Sequence, residues 1–208
     1  MDKNKSQNNK EDKAEVTSRA RPASNGMKNK FKSVKELQIE SFKKLKEQFH
    51  YKNIMQSPRL VKVAISVGVG SFKDKKKFEI VEDRLMKITG QKIAKRGAKK
   101  AIANFKTRLG DTIGYQVTLR GARMYGFLDK LFNIAFPRTK DFRGIERKVV
   151  DSIGNITLGI KEHTIFPESV DEELKDVFGF AVTVVSTAKN REEGEAFFEY
   201  IGVPFKKK

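Results

Sequence analysis

Residues 113–120 read Ile-Gly-Tyr-Gln-Val-Thr-Leu-Arg, and the alternation in this stretch decides the fold. Ile113, Tyr115, Val117 and Leu119 fall on one side, while Gly114, Gln116, Thr118 and Arg120 fall on the other. Side chains of an extended chain point alternately to opposite faces, so this is a strand with one face in a core and one face left polar.

The same period recurs upstream. After Pro58, Val61, Val63, Ile65 and Val67 alternate with Lys62, Ala64 and Ser66, which predicts a second half-buried strand. Ahead of it, Ser33 and Glu36 have capping-box spacing, and Val34, Leu37, Phe42, Leu45 and Phe49 follow at helical intervals. Gly68 and Gly70 turn the chain. Asp74 can then cap a helix carrying Phe78, Val81, Leu85 and Ile88 that stops at Gly90.

Downstream of Arg120, Met124, Leu128, Leu131, Phe132 and Ala135 mark a helix expected to end at Pro137, and residues 141–155 read as a loop. Ile156, Leu158 and Ile160 alternate again. Phe180 to Thr187 is a β-branched run suited to a buried strand, and Asn190 is placed to cap a last helix with Glu192, Glu193 and Glu195 in its first turns. Helices and strands mix without strict βαβα alternation. The expected fold is therefore α+β: a mainly antiparallel sheet with helices packed on one face. Residues 1–30 lack aromatics and nearly all large apolar side chains. They are expected to be a disordered extension preceding a single domain over 31–208.

The chain has 208 residues with 44 Lys and Arg against 26 Asp and Glu, and this surplus calls for a polyanionic partner. There is no Cys, which excludes thiol catalysis, disulfides and thiolate metal sites, and His50 and His163 are too few for a histidine metal cluster. No apolar run is long enough for a membrane span and the N-terminus lacks a signal-peptide core. The protein is expected to be soluble and to remain where it is made.

Charge is unevenly spread. Residues 91–120 hold eight bases (Lys92, Lys95, Arg96, Lys99, Lys100, Lys106, Arg108, Arg120) and the single acid Asp111, whereas residues 151–200 hold four bases and eleven acids. One face on RNA, and another facing a basic partner or solvent, would suit this polarity; a solvated loop is the bland reading of the basic stretch. Hydroxyl, amide and guanidinium groups on the open sheet face can bond phosphate and 2′-OH groups. Phe105, between Asn104 and Lys106, is either core or a stacking surface for an unpaired base.

Other motifs fail on inspection. Gly68-Val69-Gly70 lacks both the third Gly of a dinucleotide fingerprint and the Gly-Lys-Ser/Thr of a P-loop. Phe178-Gly179-Phe180 lacks the basic residue and later aromatic of an RNA-recognition strand, and reads as core. Glu192-Glu193 and Asp171-Glu172-Glu173 are better read as solvated or dipole-pairing acids than as Mg²⁺ ligands. No catalytic constellation, metal site or cofactor is expected.

Ordered blocks carry a family resemblance: Pro58-Arg59, Val67-Gly68-Val69-Gly70, Thr89-Gly90-Gln91-Lys92, Val117-Thr118-Leu119-Arg120-Gly121, Phe136-Pro137-Arg138, Asp141-Phe142-Arg143-Gly144, Gly154-Asn155, Ile165-Phe166-Pro167-Glu168, and Ser186-Thr187-Ala188-Lys189 through Glu193-Gly194. Over about residues 31–205 the chain closely resembles the bacterial family of large-subunit ribosomal protein number five, which binds 5S rRNA in the central protuberance. The resemblance implies a cytoplasmic, ribosomal, non-enzymatic scaffold. It implies rRNA contacts at Ser66, Gln91, Phe105, Thr118 and Arg120, and P-site tRNA contact through a basic loop from Lys95 to Arg108, chiefly Arg96, Lys99 and Lys100. It further implies large-subunit rRNA as a partner, and an intersubunit bridge to a small-subunit head protein around residues 141–144 and 162–168. The family usually has Asn where this chain has Ser66, so an amide is replaced by a hydroxyl. The alternative is a free-standing RNA chaperone or regulatory binder.

Overall fold

A computed structural model describes residues 32–72, 75–169 and 177–206. The expected extension at 1–30, the capping role of Asp74 and the acids Asp171, Glu172 and Glu173 lie outside the described residues. Helix α1 is Val34–Phe49, capped as its sequence demands: the Ser33 hydroxyl accepts from the Glu36 N–H, and the Glu36 carboxylate accepts from the Ser33 N–H, both at 3.3 Å. Strand β1, Leu60–Gly68, follows, then α2, Lys75–Thr89, which closes at Gly90 with φ +63°.

A short strand β2, Ala94–Gly97, precedes β3, Thr112–Leu119. Helix α3, Gly121–Lys130, runs on through a π turn at Leu131–Ala135 into a last turn α4, Phe136–Arg138. The helix therefore passes Pro137 instead of ending at it. The widened turn sits where the proline ring would crowd the carbonyl four residues back and where its missing N–H leaves the ladder open. Strands β4, Ile156–Ile160, and β5, Phe180–Ser186, and helix α5, Arg191–Ile201, complete the fold.

The sheet order is β2-β3-β1-β5-β4, and every pairing is antiparallel. Val63, Ile65, Val67, Tyr115, Val117, Leu119, Leu158, Phe180, Val182 and Val184 enter one core with Leu85, Met124, Phe127, Leu128, Phe197 and Phe198 from the helices. The α+β fold with helices covering one face of the sheet is as expected. Two strand assignments shift. Leu60, not Val61, enters the core, because a bulge between Leu60 and Lys62 in the β1–β5 pairing leaves Val61 43 % exposed. Strand β5 ends at Ser186 and alternates buried with half-buried positions, so it is one-faced and not wholly buried.

Asn190 stands at the N-cap of α5, but its side chain makes no cap bond. Glu193 acts there in its place: its carboxylate accepts from the Lys189 N–H at 2.7 Å and from the Tyr51 hydroxyl, fixing the start of α5 to the chain between α1 and β1. Just past that point α5 meets the turn before β4 at a glycine pair. A Cβ on Gly194 would lie 2.6 Å from the Gly154 Cα, and Gly154 itself has φ +81°. Gly194→Ala is expected to lower the urea midpoint by the equivalent of about 1–3 kcal/mol through overpacking, with an unchanged m-value. Wild-type stability in that variant would mean the helix can slide.

The stretch at 141–155 is more tied down than its loop-like sequence suggests. Ile145 pairs with Phe205, its N–H bonding the Pro204 carbonyl at 2.8 Å and its carbonyl accepting from the Lys206 N–H at 2.9 Å. Gly144, φ +91°, lies so close to the Lys206 backbone that a Cβ would meet its nitrogen at 2.8 Å. Nothing in a local sequence pattern signals that contact with the far end of the chain.

Candidate RNA interface

The face of the sheet turned away from the core is built from short polar and small residues. In register across β1 and β3, Ser66 lies opposite Gln116 and Ala64 opposite Thr118. One strand outward, Arg96 pairs with Gly114 on β3, and its Nε donates to the Gln116 Oε1 at 2.8 Å. Beyond Thr118 the backbone stays extended at Arg120 (φ −140°, ψ 163°), so this exposed guanidinium leaves on the same side. Gln91 is held beside the face by its Nε2 donating to the Thr118 carbonyl at 3.3 Å. Ser66, Gln91, Thr118 and Arg120 are thus brought together on or beside one surface, and Arg96, expected in the basic loop, joins them.

Lys99, Lys100 and Phe105 lie elsewhere, on a hairpin projecting from β2 and β3. Its stem is closed by Ala98 N–H to the Asp111 carbonyl at 2.8 Å, by Gly110 N–H to the Ala98 carbonyl at 3.0 Å, and by the Ile102–Thr107 bridge. A 3-10 turn at Ala103–Phe105 forms the tip, with Lys106 in the left-handed region at φ 51°. Phe105 is 73 % exposed, which removes the core reading and leaves its ring open to stacking.

The charges on this arm are sorted by structure. Asp111 is occupied by the Arg108 N–H at 2.7 Å, and Lys95 turns to Glu82 on α2 at 3.2 Å. Lys99 and Lys100 carry no ion pair among the described residues and are exposed. Beneath the sheet, Tyr115 donates to the Phe78 carbonyl at 3.3 Å, and burial raises its pKa above the ordinary tyrosine value.

Some candidate contacts were not legible as a set. Thr157 and Thr183, opposite each other on β4 and β5, share a hydrogen bond at 3.1 Å and extend the hydroxyl-bearing face across the sheet. Alternation in both strands could have found them, but only the strand order places Thr183 opposite Ala64, on the same face as Ser66. Exposed Ile102 and Leu109 on the hairpin were also missed, since apolar type suggests core. His163 is buried among core side chains. Its ring stacks on Phe178 at 4.2 Å, its Nδ1 accepts from the Phe178 N–H, and burial lowers its pKa.

The segments 141–144 and 162–168 are remote in sequence, yet both contribute to one groove of about 630 Å³, floored by Phe136, Leu158, Ile160 and Ile165. Among the described residues no helix could span a membrane and no group of side chains could hold a metal ion.

Residues 53–108 match the family model described as Ribosomal protein L5, and residues 112–205 match the model of the C-terminus of the same ribosomal family. The chain belongs to the ribosomal protein L5 family. Among its curated relatives, the large ribosomal subunit protein uL5 of Trichlorobacter lovleyi is 48 % identical over 170 residues, covering 81 % of this chain and 95 % of the relative. That of Caldanaerobacter subterraneus is 50 % identical over 164 residues (78 % and 92 %), and that of Ureaplasma parvum 48 % over 166 (79 % and 90 %). Membership of the L5 family makes the chain a structural, rRNA-binding constituent of the large ribosomal subunit and not an enzyme.

Proposed function

We propose that this L5-family chain anchors 5S rRNA to the large subunit through the open sheet face, approaches P-site tRNA with the basic hairpin, and meets a small-subunit head protein at the groove between 141–144 and 162–168. The observation that carries the reading is the polar face itself: Ser66 on β1, and Thr118 and Arg120 on and just past the neighbouring β3, share the face that no helix covers among the described residues. Hydroxyls and a guanidinium on a flat surface suit 2′-OH and phosphate groups of a shallow minor groove. Exposed Phe105 adds a stacking surface, and Lys99 and Lys100 add sequence-independent attraction to a phosphate backbone.

Filter binding of the full-length chain to 5S rRNA across a salt series tests it. With about six phosphates contacted, log affinity should fall against log salt with a slope of roughly −4 to −5. A salt-independent affinity overturns the reading. Thr118→Val removes a hydroxyl with little change in shape, and should weaken 5S rRNA binding by about 3- to 10-fold, the worth of one hydrogen bond, with thermal stability preserved. In sedimented lysate the protein should travel with the large subunit; its absence there would favour a free-standing RNA chaperone.

A further inference from the structure

The two edges of the sheet are built differently. At one edge β2 is guarded: its four residues include Lys95 and Arg96, and its pairing with β3 shifts register between Arg96 and Gly97. Charged side chains and irregular pairing are common means of keeping an edge from accepting another strand. At the other edge β4 reads Ile-Thr-Leu-Gly-Ile, with no charge and no proline, and it pairs with β5 in unbroken register. Nothing in those five residues blunts it.

The backbone groups of that edge can be assigned a direction. On the side away from β5, beside the Val150–Ile156 bridge, the Asn155 carbonyl accepts from the Asp151 N–H at 2.8 Å. Backbone groups alternate along a strand, so those of Thr157 and Gly159 point outward as Asn155 does, while those of Ile156, Leu158 and Ile160 point to β5. The Thr157–Thr183 hydroxyl contact at 3.1 Å fits this phase, because side chains come closest at the non-hydrogen-bonded pairs of an antiparallel ladder. The Gly159 N–H and C=O therefore face the groove described above, and among the described residues no backbone hydrogen bond reaches them from that side.

The opposite wall, residues 138–146, cannot supply the partner. Ile145 is already paired with the far end of the chain through the Pro204 carbonyl and the Lys206 N–H, and the Phe142 ring stacks on Phe136 at 5.3 Å. The wall is thus held from behind and from below, and the gap along β4 stays open. Its floor is apolar. The rim mixes Arg138, Lys140, Arg143 and Lys161 with Asp141, Glu146 and Glu162, and carboxylates at the lip repel a phosphate backbone. These features select a protein strand and not RNA.

We propose that the β4 edge takes an extended segment of a partner protein as a sixth strand, its backbone bonded to Gly159 and every second side chain, aliphatic in type, set on the floor of Phe136, Leu158, Ile160 and Ile165. The inference rests on the reading of this groove as the meeting place with a small-subunit head protein, which would supply the strand. It adds the mode of recognition: main-chain bonds for affinity and alternate aliphatic side chains for specificity.

The test selects a displayed library of peptides, about eight residues long with aliphatic residues at alternate positions, against the full-length chain and in parallel against Gly159→Pro. Proline is tolerated on an edge strand where its missing N–H would face outward, and a Cβ at Gly159 meets nothing within 4 Å, so the variant should keep its thermal transition and its 5S rRNA affinity. Selected peptides should bind wild type at least about 10-fold more tightly than the variant, the worth of a hydrogen bond. In wild type they should also slow hydrogen exchange of the Gly159 amide at least about 10-fold, a measurement that decides alone if the variant fails to fold. No peptide selected, equal binding to both chains, or binding without slowed Gly159 exchange overturns the inference. In large subunits carrying the chain, exchange over residues 156–161 should slow when small subunits join. Slowing by peptides but not by small subunits would sink the head-protein reading with strand addition intact.

Discussion

Val117→Asp is expected to abolish the cooperative unfolding transition of this protein. Val117 is 2 % exposed at the middle of β3, in register with Ile65 on β1, which is 1 % exposed. The carboxylate would enter the apolar core that holds Ile65, Leu119 and the buried side chains of α2 and α3. Burying an unpaired charge costs several kcal/mol or forces the group to stay protonated, and small domains have only about 5–15 kcal/mol in all. Loss of near-UV circular dichroism and of a sigmoidal urea curve is the expected readout. A folded variant, set beside an unfolded Thr118→Val, would show that the two faces of β3 have been exchanged.

That prediction depends on information present in eight residues. The alternation at 113–120 separates core from surface without any knowledge of neighbours, because strand geometry alone sends adjacent side chains to opposite faces. The capping box at Ser33 and Glu36 was equally local and is formed as written. Features that depend on a partner far along the chain escaped. The bulge that exposes Val61 arises from the pairing of β1 with β5, more than a hundred residues away. The passage of the helix through Pro137 depends on a π turn that no propensity encodes. Glu193 read as one of several dipole-pairing acids, and only its approach to Tyr51 reveals it as a buried clamp.

The candidate site divides in the same way. Ser66, Thr118 and Arg120 share a face because parity within a strand and register between strands agree, and parity could be read directly. Arg96 could not be placed, since the four residues of β2 are all exposed and carry no apolar alternation to mark them as a strand. Its bond to Gln116 moves it from the hairpin to the sheet face. On the proposed reading, removing Arg96 would therefore perturb 5S rRNA binding on the sheet face, whereas Lys99 and Lys100 belong to the arm.

The double variant Phe105→Ala, Arg120→Ala should show how much of 5S rRNA recognition these two kinds of contact carry. Stacking of a base on an aromatic ring is worth about 1–3 kcal/mol by alanine substitution, and a hydrogen bond to a charged group about 1.5–3 kcal/mol. Phe105 stands at the hairpin tip and Arg120 at the end of β3, on separate elements with no shared partner, so the losses should add. The sum, about 2.5–6 kcal/mol, corresponds to a roughly 10²- to 10⁴-fold weaker complex. Both side chains are exposed, so the thermal transition should stay within about a degree or two of wild type. The two single variants separate the mechanisms: Arg120→Ala should reduce the salt slope by about one, while Phe105→Ala should leave the slope unchanged and weaken binding at every salt concentration alike. Equal slopes in both variants would mean that Arg120 contributes through packing or base contact and not through a phosphate, and an unaffected double variant would place the 5S rRNA on some other surface of the domain.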